Sequence, residues 1–175
     1  MLVSDATRIV FSLGFINSPE HLKLVQESKP LAELDLDAYD AVLFVGGQRP
    51  MYTFYADENV QHALASICES GRVAVVICHA TCMLLRTRLS DGSLLVEGRT
   101  WTGFANSEER LADEYVGQRI QPFWIEDEAR KLESTNFIVY GSFKSHAVRD
   151  GNLITGQQQY SGTAAARLII QALGT

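Results

Sequence analysis

The run Val73-Ala74-Val75-Val76-Ile77 passes without a break into Cys78-His79-Ala80-Thr81, and this junction constrains the fold more than any other stretch of the chain. Five consecutive apolar residues, mostly β-branched, suit a strand buried on both faces. A second such run, Ala41-Val42-Leu43-Phe44-Val45, is preceded by Asp40 and stopped by Gly46-Gly47. Residues 57–70 lie between them with Val60, Leu64 and Ile67 spaced for one helix face, and Gly71 closes the helix. Residues 80–89 also read as helical. Strand, helix, strand, helix with buried strands is the pattern of a parallel sheet with right-handed crossovers. Further on, residues 126–132 suggest a short helix and Phe137-Ile138-Val139-Tyr140 a strand. Asp150-Gly151-Asn152 is a turn ahead of Leu153-Ile154-Thr155, and residues 162–173 form a terminal helix with Leu168, Ile169 and Leu173 on one side. With no repeat, low-complexity tract or Pro/Gly/Ser-rich linker, residues 1–175 are expected to form a single α/β domain.

Composition narrows the function classes. Twenty-one acidic against 15 basic side chains leave a net charge of −6, and a protein without a basic face cannot neutralise phosphates, so no nucleic-acid partner is expected. No apolar run approaches the ~20 residues that span a bilayer, so no membrane partner is expected. Three cysteines cannot build a disulfide framework. With no basic-then-apolar leader at the N-terminus either, a reducing, cytoplasmic location is expected.

The residues that could carry chemistry collect at strand ends. A strand turning sharply at Cys78 exposes that side chain above the sheet, and a helix beginning there favours thiolate over thiol. His79 beside it can carry a proton. The plainer alternative is a small core cysteine filling space. Gly46-Gly47 end the neighbouring strand at the same carboxyl edge, where open α/β sheets bind ligands and where glycine lets backbone N–H groups approach a substrate oxygen. Glu108-Glu109 could supply a carboxylate to orient His79, or could be first-turn acids of a helix capped by Asn106 or Ser107. His146 could reach the site from its own loop or make a structural hydrogen bond. His21 and His62 read as surface residues and Cys68 as inert. Cys82, one helical turn beyond Cys78, suits either a resolving thiol or helix packing. No Cys/His/acid spacing suits a zinc site and no phosphate-cradling glycine loop is present, so neither metal nor cofactor is expected.

Four segments together resemble the ThiJ/PfpI superfamily: residues 39–47 ending in Gly46-Gly47, the junction Val76-Ile77-Cys78-His79-Ala80, residues 102–109 ending in Glu108-Glu109, and residues 150–157. They stand in the family's order and cover about residues 30 to 175; the segment from Gly103 to Glu109 is similar to the glyoxalase III and heat-shock chaperone branch. The resemblance implies a flavodoxin-like three-layer sandwich of the class I glutamine amidotransferase type with a mostly parallel sheet. It implies Cys78 as nucleophile, His79 as its neighbour, and Glu109 or Glu108 as the acid facing the histidine. It also implies an oxyanion hole from the amides of Gly47 and His79, and a homodimer. Family activities include cofactor-free conversion of methylglyoxal to lactate, so a small carbonyl substrate is expected. Deglycase, peptidase and holdase-chaperone activities are also claimed. A non-catalytic, cysteine-oxidation-sensing or chaperone-like dimer is the rival reading, and an amidase or isonitrile-hydrating enzyme a third.

Two features depart from that pattern. Gln48 and Arg49 succeed the paired glycines where relatives of this branch usually carry histidine and glycine, and Arg49 either selects an anionic or oxidised substrate or points to solvent. Only 40 residues precede Ala41, whereas the family opens with a strand, an acid-bearing helix and a second strand. Either the segment from Ser4 to Leu31 corresponds to the stretch after the family's second strand, leaving the first strands and the acidic partner of Cys78 missing, or residues 8–15 form a first strand. Under the first alternative the sheet would expose an unpaired edge that favours association with another chain.

Overall fold

The computed structural model describes residues 13–174. The chain divides into two compact units, Met1–Leu34 and Asp35–Thr175. In the first, residues 13–16 are helical, and helix α1 (Pro19–Gln26) comes next. Ser18 caps α1 by accepting from the His21 N–H, and Pro19 occupies its first turn, where a missing N–H costs nothing. The alternative of a strand over residues 8–15 is therefore not met at residues 13–15; residues 8–12, and the Ser4–Arg8 stretch of the other alternative, lie outside the described residues.

The second unit is built on a four-stranded sheet in the order β1-β2-β6-β5. Its members are β1 (Ala41–Phe44), β2 (Val73–Ile77), β5 (Ala147–Asp150) and β6 (Leu153–Gly156). β1 and β6 flank β2 in parallel, and β5 returns antiparallel to β6. Between β1 and β2 come a short helix α2 (Pro50–Thr53) and the amphipathic α3 (Glu58–Glu69). α3 begins where Asp57 accepts from the N–H groups of Asn59 and Val60, and it buries Val60, Leu64 and Ile67. Terminal helix α6 (Gly162–Leu173) packs Ala165, Leu168 and Ile169 on the face carrying Val73, Val75 and Ile154. Ala74 and Val76, which point to the opposite face, are also fully buried. A continuous apolar strand is what a sheet closed on both faces requires.

Four expectations need correction. β1 is not buried on both faces: Leu43 is 47% exposed and Val45, just beyond the strand, 65%. Among the described residues β1 pairs only with β2, so one of its edges carries no strand. Residues 80–89 are not an α-helix; Cys78–Leu85 is a run of 3₁₀ turns. The Thr81 hydroxyl donates to the Cys78 carbonyl at 2.6 Å, and a side chain competing for that oxygen works against the α-helical i→i−4 bond. The strand anticipated over residues 137–140 shrinks to β4 (Asn136–Phe137), which pairs with β3 (Thr100–Trp101) in a separate two-stranded sheet. Pairing stops because both backbone polar groups of Tyr140 are taken by the Gln157 side chain. Finally, β5 was not anticipated at all. Asp150 faces Leu153 across the two-residue turn Gly151-Asn152, with Gly151 at φ 60°, so the expected turn is the tip of a hairpin. Two more helices, α4 (Asn106–Val116) and α5 (Ile125–Ala129), complete the unit.

Candidate active site

The Cys78 backbone has φ 62°. Among the described residues only Cys78 and Phe143 combine a side chain with positive φ. Such a conformation costs of order 1–3 kcal/mol and persists only where the surroundings impose it. Here the constraint is the tight passage from β2 into the 3₁₀ run, with Gly46 pressed against it. A Cβ on Gly46 would lie 2.6 Å from Cys78 Cβ and 2.6 Å from the Ile77 oxygen, so no other residue fits there. The Gly46-Gly47 end of β1 thus meets the elbow directly, with the place of a Gly46 Cβ 3.1 Å from the His79 nitrogen.

From this elbow Cys78 Sγ lies 3.5 Å from His79 Nδ1, and His79 Nε2 lies 3.0 Å from Glu109 Oε1. Histidine and glutamate are 2% and 1% exposed. The imidazole stacks on Phe104 with ring centroids 4.0 Å apart. Burial opposes a charge on His79, but its hydrogen bonds with Cys78 and Glu109, and the charges of both, outweigh that and raise it to about 9. At neutral pH the ring is therefore an imidazolium that donates from both nitrogens, and a positive charge beside the sulfur is what a nucleophilic thiolate needs.

Of the paired acids, Glu109 meets the histidine and Glu108 does not. Glu108 accepts from the N–H groups of Ala105 (3.0 Å) and Phe143 (2.8 Å) and from Gln157 Nε2 (2.9 Å). Burial pushes its carboxyl up and those hydrogen bonds pull it back. The α4 N-terminus is therefore fastened by Glu108 reaching back to Ala105, and neither Asn106 nor Ser107 caps it. Gln48 is exposed and accepts from Gln121 Nε2, and Arg49 is exposed at the start of α2. Cys82 is buried, donates to the Pro50 carbonyl at 3.4 Å, and is pushed up to about 12 by burial. Cys68 is likewise raised to about 11 by burial. His146 is drawn down by burial and its Nε2 has no partner, while its neighbours are Tyr140 and Ser161, not Cys78. His62 is exposed, as is His21, which stacks on Phe15.

Sequence reasoning missed Phe104. Its signal was the adjacent Gly103: a Cβ there would meet Thr81 Oγ1 at 2.5 Å, so the glycine brings this segment against the elbow and the next side chain onto His79. Among the described residues no group of His, Cys, Asp and Glu is placed to hold a metal ion.

The DJ-1/PfpI family pattern matches residues 12–172. The chain belongs to the DJ-1/PfpI family. Its flavodoxin-like fold with a mostly parallel sheet recurs in the rapid encystment protein of 24 kDa from Francisella tularensis, with a TM-score of 0.81 and 25% identity over 91% of this chain and 69% of that one. It recurs also in glyoxalase III from Candida albicans, with a TM-score of 0.75 and 21% identity over 95% of this chain and 70% of that one. In sequence, the DJ-1/PfpI chain is 28% identical over 158 residues to the probable glutathione-independent glyoxalase hsp3103 of Schizosaccharomyces pombe. That match takes in 86% of this chain but only 59% of the relative. No described helix is long and apolar enough to cross a membrane.

Proposed function

We propose that this DJ-1/PfpI protein is a glutathione-independent glyoxalase-type enzyme that converts a small α-oxoaldehyde to a hydroxy acid, with Cys78 as nucleophile, His79 as proton carrier and Glu109 as the acid that orients it. The observation that carries the reading is the contact chain Cys78 Sγ–His79–Glu109, at 3.5 Å and 3.0 Å, on a strained elbow. The glyoxalase named among its relatives supports the choice of substrate.

With methylglyoxal the chemistry balances without a cofactor. The Cys78 sulfur adds to the aldehyde carbon, forming a C–S bond and moving the carbonyl π pair onto oxygen. The backbone amides of Gly47 and His79 are the donors we assign to that oxyanion, and Gly46 with Gln48 and Arg49 frames the opening. The imidazolium proton neutralises the alkoxide. Neutral imidazole then removes the hydrogen on the former aldehyde carbon as a proton, the electron pair passing into an enediolate with its charge on the former ketone oxygen, and returns it to the second carbon. As that proton arrives, the hydroxyl on the first carbon passes its own to the oxygen on the second, and a lactoyl thioester forms. The first carbon is oxidised and the second reduced, so no outside oxidant is used. Water cleaves the thioester and releases lactate and Cys78. Glu109 holds the ring through Nε2 so that Nδ1 faces the reacting atoms.

The test is lactate formation from methylglyoxal by the full chain and by Cys78→Ala. Turnover that falls at least about 100-fold in the variant is expected, the usual scale for an essential nucleophile or base. Equal rates would sink the proposal. Selective oxidation of Cys78 by mild peroxide in a protein that turns over no aldehyde would instead establish the redox-sensing alternative.

A further inference from the structure

Phe143 is the second residue with a side chain at positive φ, 54°. It is not at the elbow but in the stretch beyond β4, where residues 140–144 run without regular pairing. Buried or half-buried side chains hold this stretch by its backbone. Gln157 accepts from the Tyr140 N–H at 2.7 Å and donates to the Tyr140 carbonyl at 3.1 Å. Gln158 donates to the Lys144 carbonyl at 2.8 Å, and the Ser142 and Ser107 hydroxyls meet at 2.8 Å. At the centre is Glu108, fully buried, which accepts from the Phe143 N–H and from Gln157 and is rooted by the Ala105 N–H.

The bond to Glu108 ties the backbone from which the Phe143 ring projects, and that ring also meets Tyr160 edge-on at 6.3 Å. It packs edge-on against Phe104 with centroids 6.4 Å apart, and Phe104 is the ring stacked on His79. Glu108, whose hydrogen bonds go to Ala105, Phe143 and Gln157, is thereby linked through two aromatic rings to the imidazole. Backbone strain held by a dedicated buried acid beside a reactive pair is a cost without return unless the held ring matters.

We propose that Glu108 is a positioning residue for the Cys78–His79 pair: its carboxylate latches residues 140–144 so that Phe143 braces Phe104 against the imidazole. This rests on the reading of Cys78–His79–Glu109 as the reactive site. It separates the paired acids by role, Glu109 acting on the ring through a hydrogen bond and Glu108 through two aromatic side chains. Cys78 and Glu109 are the titratable groups that face His79, and Glu109 is the one that bears on Glu108.

The experiment tracks the His79 ring by NMR through a pH titration of the full chain, in the wild type, in Glu108→Gln and in Phe143→Asn. Glu108→Gln leaves an amide that cannot accept from all three donors. Phe143→Asn keeps a residue tolerant of the left-handed backbone and retains the Glu108 carboxyl, but removes the ring. The wild-type ring should titrate near 9. In both variants the midpoint should fall by about one pH unit, a ~10-fold change in the protonation equilibrium, as the contacts to Cys78 and Glu109 loosen. A fall in Glu108→Gln alone reports an effect of the carboxyl that does not pass through the Phe143 ring and overturns the latch, as does a high midpoint that neither variant lowers. A wild-type midpoint near 6.5 removes the Cys78–His79 pairing itself and the latch with it, an outcome distinct from failure of the latch alone. Should Glu108→Gln fail to fold, Glu108→Asp, which keeps a carboxyl but is one methylene short of the Phe143 N–H, takes its place with the same expected fall.

Discussion

At the scale of single residues the site is a set of close approaches, and each has a consequence that can be measured. Gly46 leaves room for the elbow because it has no Cβ. Gly46→Ala would force an atom to within 2.6 Å of Cys78 Cβ and the Ile77 oxygen, both on a buried strand end that cannot give way. Overpacking of this kind costs about 1–3 kcal/mol, so chemical denaturation should show a midpoint well below the wild type, with alkylation of Cys78 by iodoacetamide altered as well. Gly47→Ala, with nothing within 4 Å of its Cβ but φ at 117°, tests backbone strain without the clash.

His79 gives a signed pH dependence. Its folded value, about 9, lies above the ordinary 6.5, so the native state holds the ring proton more tightly than the unfolded chain. That contribution is fully present below pH 6.5 and is lost as pH rises through about 9. Glu109→Gln leaves a neutral amide acceptor at Nε2 and removes the coulombic pull of Glu109 on the ring proton. The difference in Tm between wild type and Glu109→Gln should therefore be larger at about pH 6 than at about pH 10. Thermal melts at the two pH values check it, and a difference that does not shrink contradicts the assignment of Glu109.

At the scale of elements, those with local signals were legible. α3 starts at Asp57 because that carboxylate satisfies two orphan N–H groups, and its length reflects the spacing of Val60, Leu64 and Ile67. Asp57→Ala should destabilise the protein by ~1 kcal/mol and Asp57→Asn by much less, measured as a shift in urea midpoint. β2 and the tip of the β5–β6 hairpin were equally clear. The 3₁₀ run from Cys78 was not, because its residues have ordinary helix propensity and only the Thr81 side chain bond to the Cys78 carbonyl marks the difference. β5 (Ala147–Asp150) is short, half-exposed and ends in two charged residues, so it carries no periodic signal; it is a strand because β6 offers it a partner. The stretch around Tyr140 shows the reverse: an apolar run of good strand formers is diverted because Gln157, distant in sequence, takes its backbone groups.

At the scale of the whole molecule, charge and the edge of the sheet matter most. With a net charge of −6 and a pI near 5.2, the protein should have its solubility minimum close to pH 5.2 and regain solubility on either side, which turbidity against pH will show. Leu43 and Val45 beside the outer edge of β1 add apolar surface where charge repulsion is then weakest.

The sequence by itself determined the parallel α/β core and the placement of Cys78 at a strand end. Both arise from local patterns: continuous apolar runs, capping residues and glycine stops act over a few neighbouring positions. It also brought forward a pair of acids, one of them 30 residues from the histidine, without saying which one meets it. Only the tertiary structure decided that. Successive residues on a helix point about 100° apart, so the docking angle of α4 turns Glu109 toward His79 and leaves Glu108 to hold the Phe143 backbone. That angle depends on what α4 meets, including α5, Phe143 and Gln157, and no window of sequence contains those partners together.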